Sequence, residues 1–207
     1  KEKAWHATMA NSRSIGIEIA NVGAYASPEA RLLQEWYETD EAGQTRLTIP
    51  PGAHPESLRD QEYSGRPVRD EIVSGTIGGQ ELWQYDLTAE QYEALGHLTA
   101  TLGAVFPKMQ LDVPRDARGE VRRDTLTNAE WKAFQGVLGH HHIQTNKIDP
   151  GPALQWDRLI DDARSLLGLE PVVKPNAGNA EDAESPLESE TGGTPTDSVL
   201  PEVTEGD

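Results

Sequence analysis

The sequence contains no cysteine. Without thiols there is no disulfide framework, no thiolate metal site and no cysteine nucleophile. Long apolar runs are missing as well, and none approaches the roughly 18 residues that cross a bilayer as a helix. Positive charge is scarce: 18 Lys and Arg stand against 35 Asp and Glu, a net charge of -17 over 207 residues. That balance argues against a nucleic-acid partner, because affinity there comes mainly from cations placed on phosphates. Apolar residues make up only 36% and the mean hydropathy is -0.62, low for a chain folded throughout its length. Residues 1–10 do not read as a signal peptide, since no apolar stretch follows Lys1 and Lys3.

The charge is unevenly spread. Residues 176–207 hold nine Asp and Glu and no Lys or Arg, among Gly, Pro, Ser and Thr. Such a segment buries too little apolar surface to offset its chain entropy and is expected to be disordered. Residues 1–175 then carry -8 and form the expected domain, with a long polar insertion at about 23–80. Within that insertion, Ser27-Pro28-Glu29 reads as a helix start followed by Leu32, Leu33, Trp36 and Tyr37, and Arg46–Ile49 as a short strand.

Four ordered stretches stand out. Ile15, Ile17 and Ile19 alternate with Gly16 and Glu18, the period of a strand with one aliphatic face. Thr88 and Gln91 have capping-box spacing, and Tyr92, Leu95, Leu98, Leu102 and Val105 follow at helical intervals, with His97 beside this stripe as a partly packed residue. Phe134–Gly139 reads as a short apolar strand ending in His140, His141 and His142. Lys147-Ile148-Asp149-Pro150-Gly151 is a turn leading into a helix, with Pro152 in its first turn and Leu154, Trp156, Leu159, Ile160, Ala163 and Leu167 on its face.

Chemistry could gather at Glu18, the histidine run, Lys147 and Asp149. Imidazole and carboxylate are the zinc ligands that remain when Cys is absent. Side chains alternate along a strand, so at most one or two of the three histidines could face one ion. A tight turn could return Asp149 to the strand end beside them, with Lys147 close enough to stabilise negative charge. A turn aspartate and surface histidines explain the same residues without any metal.

Ser-Ile-Gly-Ile-Glu-Ile-Ala-Asn at 14–21 and Gly-His-His-His-Ile-Gln-Thr-Asn-Lys-Ile-Asp-Pro-Gly-Pro at 139–152 resemble segments of the zinc-dependent type 2 N-acetylmuramoyl-L-alanine amidases, whose fold is shared with the peptidoglycan recognition proteins. Ala-Trp-His-Ala at 4–7, the helix beginning at 87–95 and Trp156 resemble the same family in the same order. The resemblance implies an α/β fold with a central mixed β-sheet flanked by helices. It implies a Zn2+ cofactor and cleavage of the amide between N-acetylmuramic acid and L-alanine of peptidoglycan. Carried over position by position, His140 and Asp149 match zinc ligands, Glu18 the catalytic acid/base, and Lys147 the cation at the tetrahedral intermediate. Zinc would bring its bound water to a pKa near roughly 7. Glu18 would then move the proton from water to the leaving amine.

The pattern departs from the family in places. The first family ligand, a histidine on an early strand, has no counterpart before His6, whose context matches a position near the substrate groove instead. The sequence is therefore expected to be incomplete at its N-terminus, to hold zinc weakly, and to be poorly stable or expose a sheet edge. His141 and His142 stand where relatives often have Ser and Asp. The rival reading is a recognition domain that binds peptidoglycan without cutting it; a metal-buffering protein would leave both long motifs unexplained. A monomer acting on peptidoglycan or muropeptides is expected, and its place in the cell envelope or outside the cell follows from the substrate alone.

Overall fold

The computed structural model describes residues 5–50, 52–53 and 63–175. The acidic segment 176–207 and part of the polar insertion lie outside the described residues. The α/β class is as expected. Strand is distributed over two small antiparallel sheets, flanked by helices.

The first sheet belongs to the polar insertion. Helix α1 (Arg31–Trp36) runs directly into β1 (Tyr37–Thr39), which pairs with β2 (Thr45–Thr48), and β2 pairs with β3 (Ser64–Gly65). Leu33 and Tyr37 supply the expected apolar face, and Tyr37 stacks on Tyr85 with ring centroids 4.1 Å apart. The second sheet is a hairpin of β4 (Val73–Ile77) and β5 (Gln80–Gln84), turned by Gly78 and Gly79, both at positive φ. A two-residue turn with both residues left-handed matches the twist of the strands it joins.

Helix α2 (Ala89–Val105) starts at the expected capping box, with the Thr88 side chain accepting from the Gln91 amide. Its buried face is rotated from the expected one. Tyr92 and Leu95 are buried together with Gly96, Thr99 and Ala100, while Leu98 and Val105 are exposed, and so is His97. The cause is α4 (Trp156–Leu166), which packs on the small residues: Asp162 lies against Gly96, and Ala163 clusters with Ala100 and Leu111. Helix α4 begins four residues after Pro152 rather than around it. Trp156, Leu159 and Ile160 enter the main core with Leu87, Tyr92, Leu95, Val113 and Leu154. Each such side chain contributes on the order of 1.5–3 kcal/mol. A short helix, α3 (Asn128–Ala133), carries its own capping box from Thr127 and Glu130 and buries Trp131.

Beneath this core sits a buried carboxylate. Asp86 accepts from Arg69 Nε at 2.7 Å, Tyr92 Oη at 2.6 Å, Gln155 Nε2 at 2.7 Å and the Leu87 amide at 2.8 Å. Arg69 also donates to the Ala153 carbonyl, and the Gln155 amide donates to Tyr92 Oη at 2.9 Å. Every donor faces a partner, which is the condition for a buried charge to be tolerated.

Candidate active site

The histidine triplet is a single 3-10 turn (His140–His142), and Phe134–Gly139 before it is not a strand. Its backbone instead reaches the 110–112 loop, the Gln110 amide donating to Gln135 O and the Val137 amide to Asp112 O. With those groups used by a loop, no ladder can propagate. A 3-10 turn spreads successive side chains around its axis, so the three histidines take three directions and three tasks.

His140 points to the turn that follows. Its Nδ1 lies 2.9 Å from Asp149 Oδ2, and its Nε2 lies 2.6 Å from Gln144 Oε1. The fold thus brings together the two residues expected to share a metal. His141 is 1% exposed and clasps the Asp149 backbone: its amide and its Nδ1–H both donate to the Asp149 carbonyl, at 3.3 and 3.1 Å. Its Nε2 has no hydrogen-bond partner among the described residues. Burial pushes its pKa down and keeps the ring neutral.

His142 is fully buried. Its Nδ1 accepts from the Gly139 amide at 2.9 Å, so Nε2 carries the hydrogen that goes to the Arg122 carbonyl at 2.8 Å. Burial first, and His141 beside it second, push its pKa down to about 4. His142 is therefore a neutral brace within the loop. The turn is further fixed by Thr125 Oγ1 on the His141 carbonyl and by the Leu126 amide on the His142 carbonyl.

Glu18 lines the same groove as His140 and Asp149. A cavity of about 900 Å³ is lined by Glu18, His140 and Asp149 together, and also by His6, Gln84 and Trp156. The Ser14–Ile19 run that carries Glu18, expected as a strand, has no regular secondary structure and pairs with no strand among the described residues. Its aliphatic face is correspondingly open, with Ile15 57% and Ile17 41% exposed; only Ile19 packs on the core. The segment is tied near its ends. Arg13 donates to Lys132 O and Phe134 O and lies over the Trp131 ring, and Gln91 Nε2 donates to Ala20 O. His6 lies across Gly16, where a side chain would collide with it. No described residue hydrogen-bonds the Glu18 carboxylate.

Lys147 sits on the turn before Asp149, half-buried, with its amide donating to Gln144 O, and it does not line the groove. Among the described residues of the 23–80 insertion, only Gly23 lines it. Sequence reading missed Gln84 and Asn21, which join the two walls; a lone buried amide has no periodic signature.

The donor set suits zinc in kind, one imidazole nitrogen and one carboxylate oxygen. It is short in number: no three His, Asp or Glu among the described residues are grouped to hold an ion. A family model described as N-acetylmuramoyl-L-alanine amidase matches residues 1–152. No curated protein and no solved structure matches the chain.

Proposed function

The chain belongs to the N-acetylmuramoyl-L-alanine amidase family, and from that premise we propose that it hydrolyses the amide between N-acetylmuramic acid and L-alanine in peptidoglycan, at the cell envelope or outside the cell. The observation that carries this reading is the convergence of Glu18, His140 and Asp149 on one groove. His140 and Asp149 would hold Zn2+. When bound, the metal supplies an acidified water and Lewis-acid help at the carbonyl. Glu18, which no described residue hydrogen-bonds and which lines the groove, would accept a proton from the attacking water and return it to the leaving amine, a role worth roughly 10²–10⁴ in rate. Lys147 supplies positive charge to the oxyanion once its side chain turns into the groove.

Two protein donors bind zinc weakly, so hydrolysis should require added zinc. The test incubates the chain with sacculi or muropeptides, with zinc or with a chelator, and measures release of free L-alanine amino termini. Release that depends on zinc supports the reading. No release by the zinc-supplemented chain sinks it and leaves the recognition-domain alternative, which retention on sacculi without cleavage would identify. Tight stoichiometric zinc in the purified chain would contradict a two-donor site.

A further inference from the structure

We propose that Gln84 is a positioning residue that sets the distance between the two walls of the groove. It ends β5 and is 3% exposed. Its Nε2 donates to Asn21 Oδ1 at 3.1 Å and to the Pro150 carbonyl at 3.0 Å, and its Oε1 accepts from the Ala153 amide at 3.1 Å. One amide thus spans three segments. Asn21 closes the run that carries Glu18, three residues earlier, and its Oδ1 also accepts from the Gly23 amide at 2.8 Å. Pro150 and Ala153 flank the turn that presents Asp149. The fit is close: Gly151 has φ +90, and any side chain there would run into the Gln84 amide.

The side-chain chemistry is specific. Pro150 O can only accept, so it needs an N–H; the Ala153 amide can only donate, so it needs an oxygen. Only a carboxamide of this length offers both from one plane. The substitution Gln84→Glu would keep the bond to Ala153 but set an oxygen against the Pro150 carbonyl, and Gln84→Met would fill the space with no bonds. Burial makes each lost partner costly, because water cannot replace it. The consequence for chemistry is geometric. Small errors in the placement of a base cost about 10²-fold in rate without changing what is bound.

This inference rests on Glu18 and Asp149 serving one site, and its test separates the two claims. Amide hydrogen exchange on the full chain reads the coupling without any turnover. In Gln84→Met, exchange should rise at Ala153, bonded directly, and at Gly23, held only through Asn21. In Gln84→Glu, Ala153 should stay protected while Gly23 loses protection. Gly23 protection unchanged in both variants would overturn the coupling, whether or not the chain proves to be an amidase. If zinc-dependent release is found, both variants should lose about 10–100-fold in kcat, the usual range for groups that orient a site, with KM within about threefold. That loss should largely disappear when Gln84→Met is combined with Glu18→Gln. A full additional loss in the double variant would mean that Gln84 acts on general stability and not through Glu18.

Discussion

The two walls of the groove are built on opposite terms. The His140–Asp149 wall is over-determined: His141 clasps the Asp149 carbonyl, His142 is bonded at both ring nitrogens, and Thr125 and Leu126 hold the turn from behind. The Glu18 wall is an irregular run anchored near its ends, with exposed Ile15 and Ile17 and a carboxylate that no described residue holds. If His140 and Asp149 are ligands as proposed, they need fixed separation, and buried bonds supply it. A base that must collect and release a proton gains from standing free in the groove.

Five substitutions sharpen or break this contrast. The largest effect on function should come from the loose wall: Glu18→Gln should lower turnover roughly 10²–10⁴-fold, while thermal stability and zinc binding stay unchanged. A parallel fall in melting temperature would show that Glu18 is structural after all. The largest effect on folding should come from beneath the fixed wall. Asp86→Ala leaves Arg69, Tyr92 and Gln155 without their acceptor and should cost about 3–5 kcal/mol in urea unfolding; a cost under about 1 kcal/mol would dismiss the network as an anchor.

The fixed wall should also be the acid-sensitive one. His142 has its pKa held at about 4 in the folded chain, below the ordinary 6.5. The unfolded chain therefore takes up a proton first as pH falls, so this stabilisation is complete above pH 6.5 and lost progressively toward pH 4. The total is about 3 kcal/mol at about 1.4 kcal/mol per pH unit, and His141 acts in the same direction. His142→Gln should be less stable than the parent at pH 7 and approach it at pH 4; a constant difference between the two would remove the titration argument. Smallest of all, Ile15→Thr and Ile17→Thr should change stability by about 0.5 kcal/mol or less, because their side chains are already in water. Losses of several kcal/mol would mean that this face is covered in solution.

How far the sequence reveals this molecule can be followed residue by residue. Helix α2 was legible because its cap is local: Thr88 and Gln91 settle their bonds with each other, whatever packs on the helix. Its buried face was not, because that depends on α4 docking against Gly96 and Ala100, far away in sequence. The alternation of Ile15, Ile17 and Ile19 reads as a strand, but none forms there, because a strand also needs a neighbour, which alternation cannot provide. Gly78-Gly79 and Thr127-Asn128-Ala129-Glu130 were readable signals for β4–β5 and α3, hidden inside polar surroundings. At the site, motif resemblance picked out His140, Asp149, Glu18 and Lys147, and the fold brings the first three to one groove while Lys147 does not line it. The separate tasks of His141 and His142 follow from a 3-10 turn that the preceding apolar run disguised as a strand end.

Three consecutive histidines look like a purification handle. In the folded chain they make a poor one: His141 and His142 are sealed inside, and His140 is engaged by Asp149 and Gln144. Immobilised nickel should therefore meet one imidazole of the triplet, His140, in intact molecules and all three in molecules that have come apart, so retention on such a column should rise with the share of damaged copies.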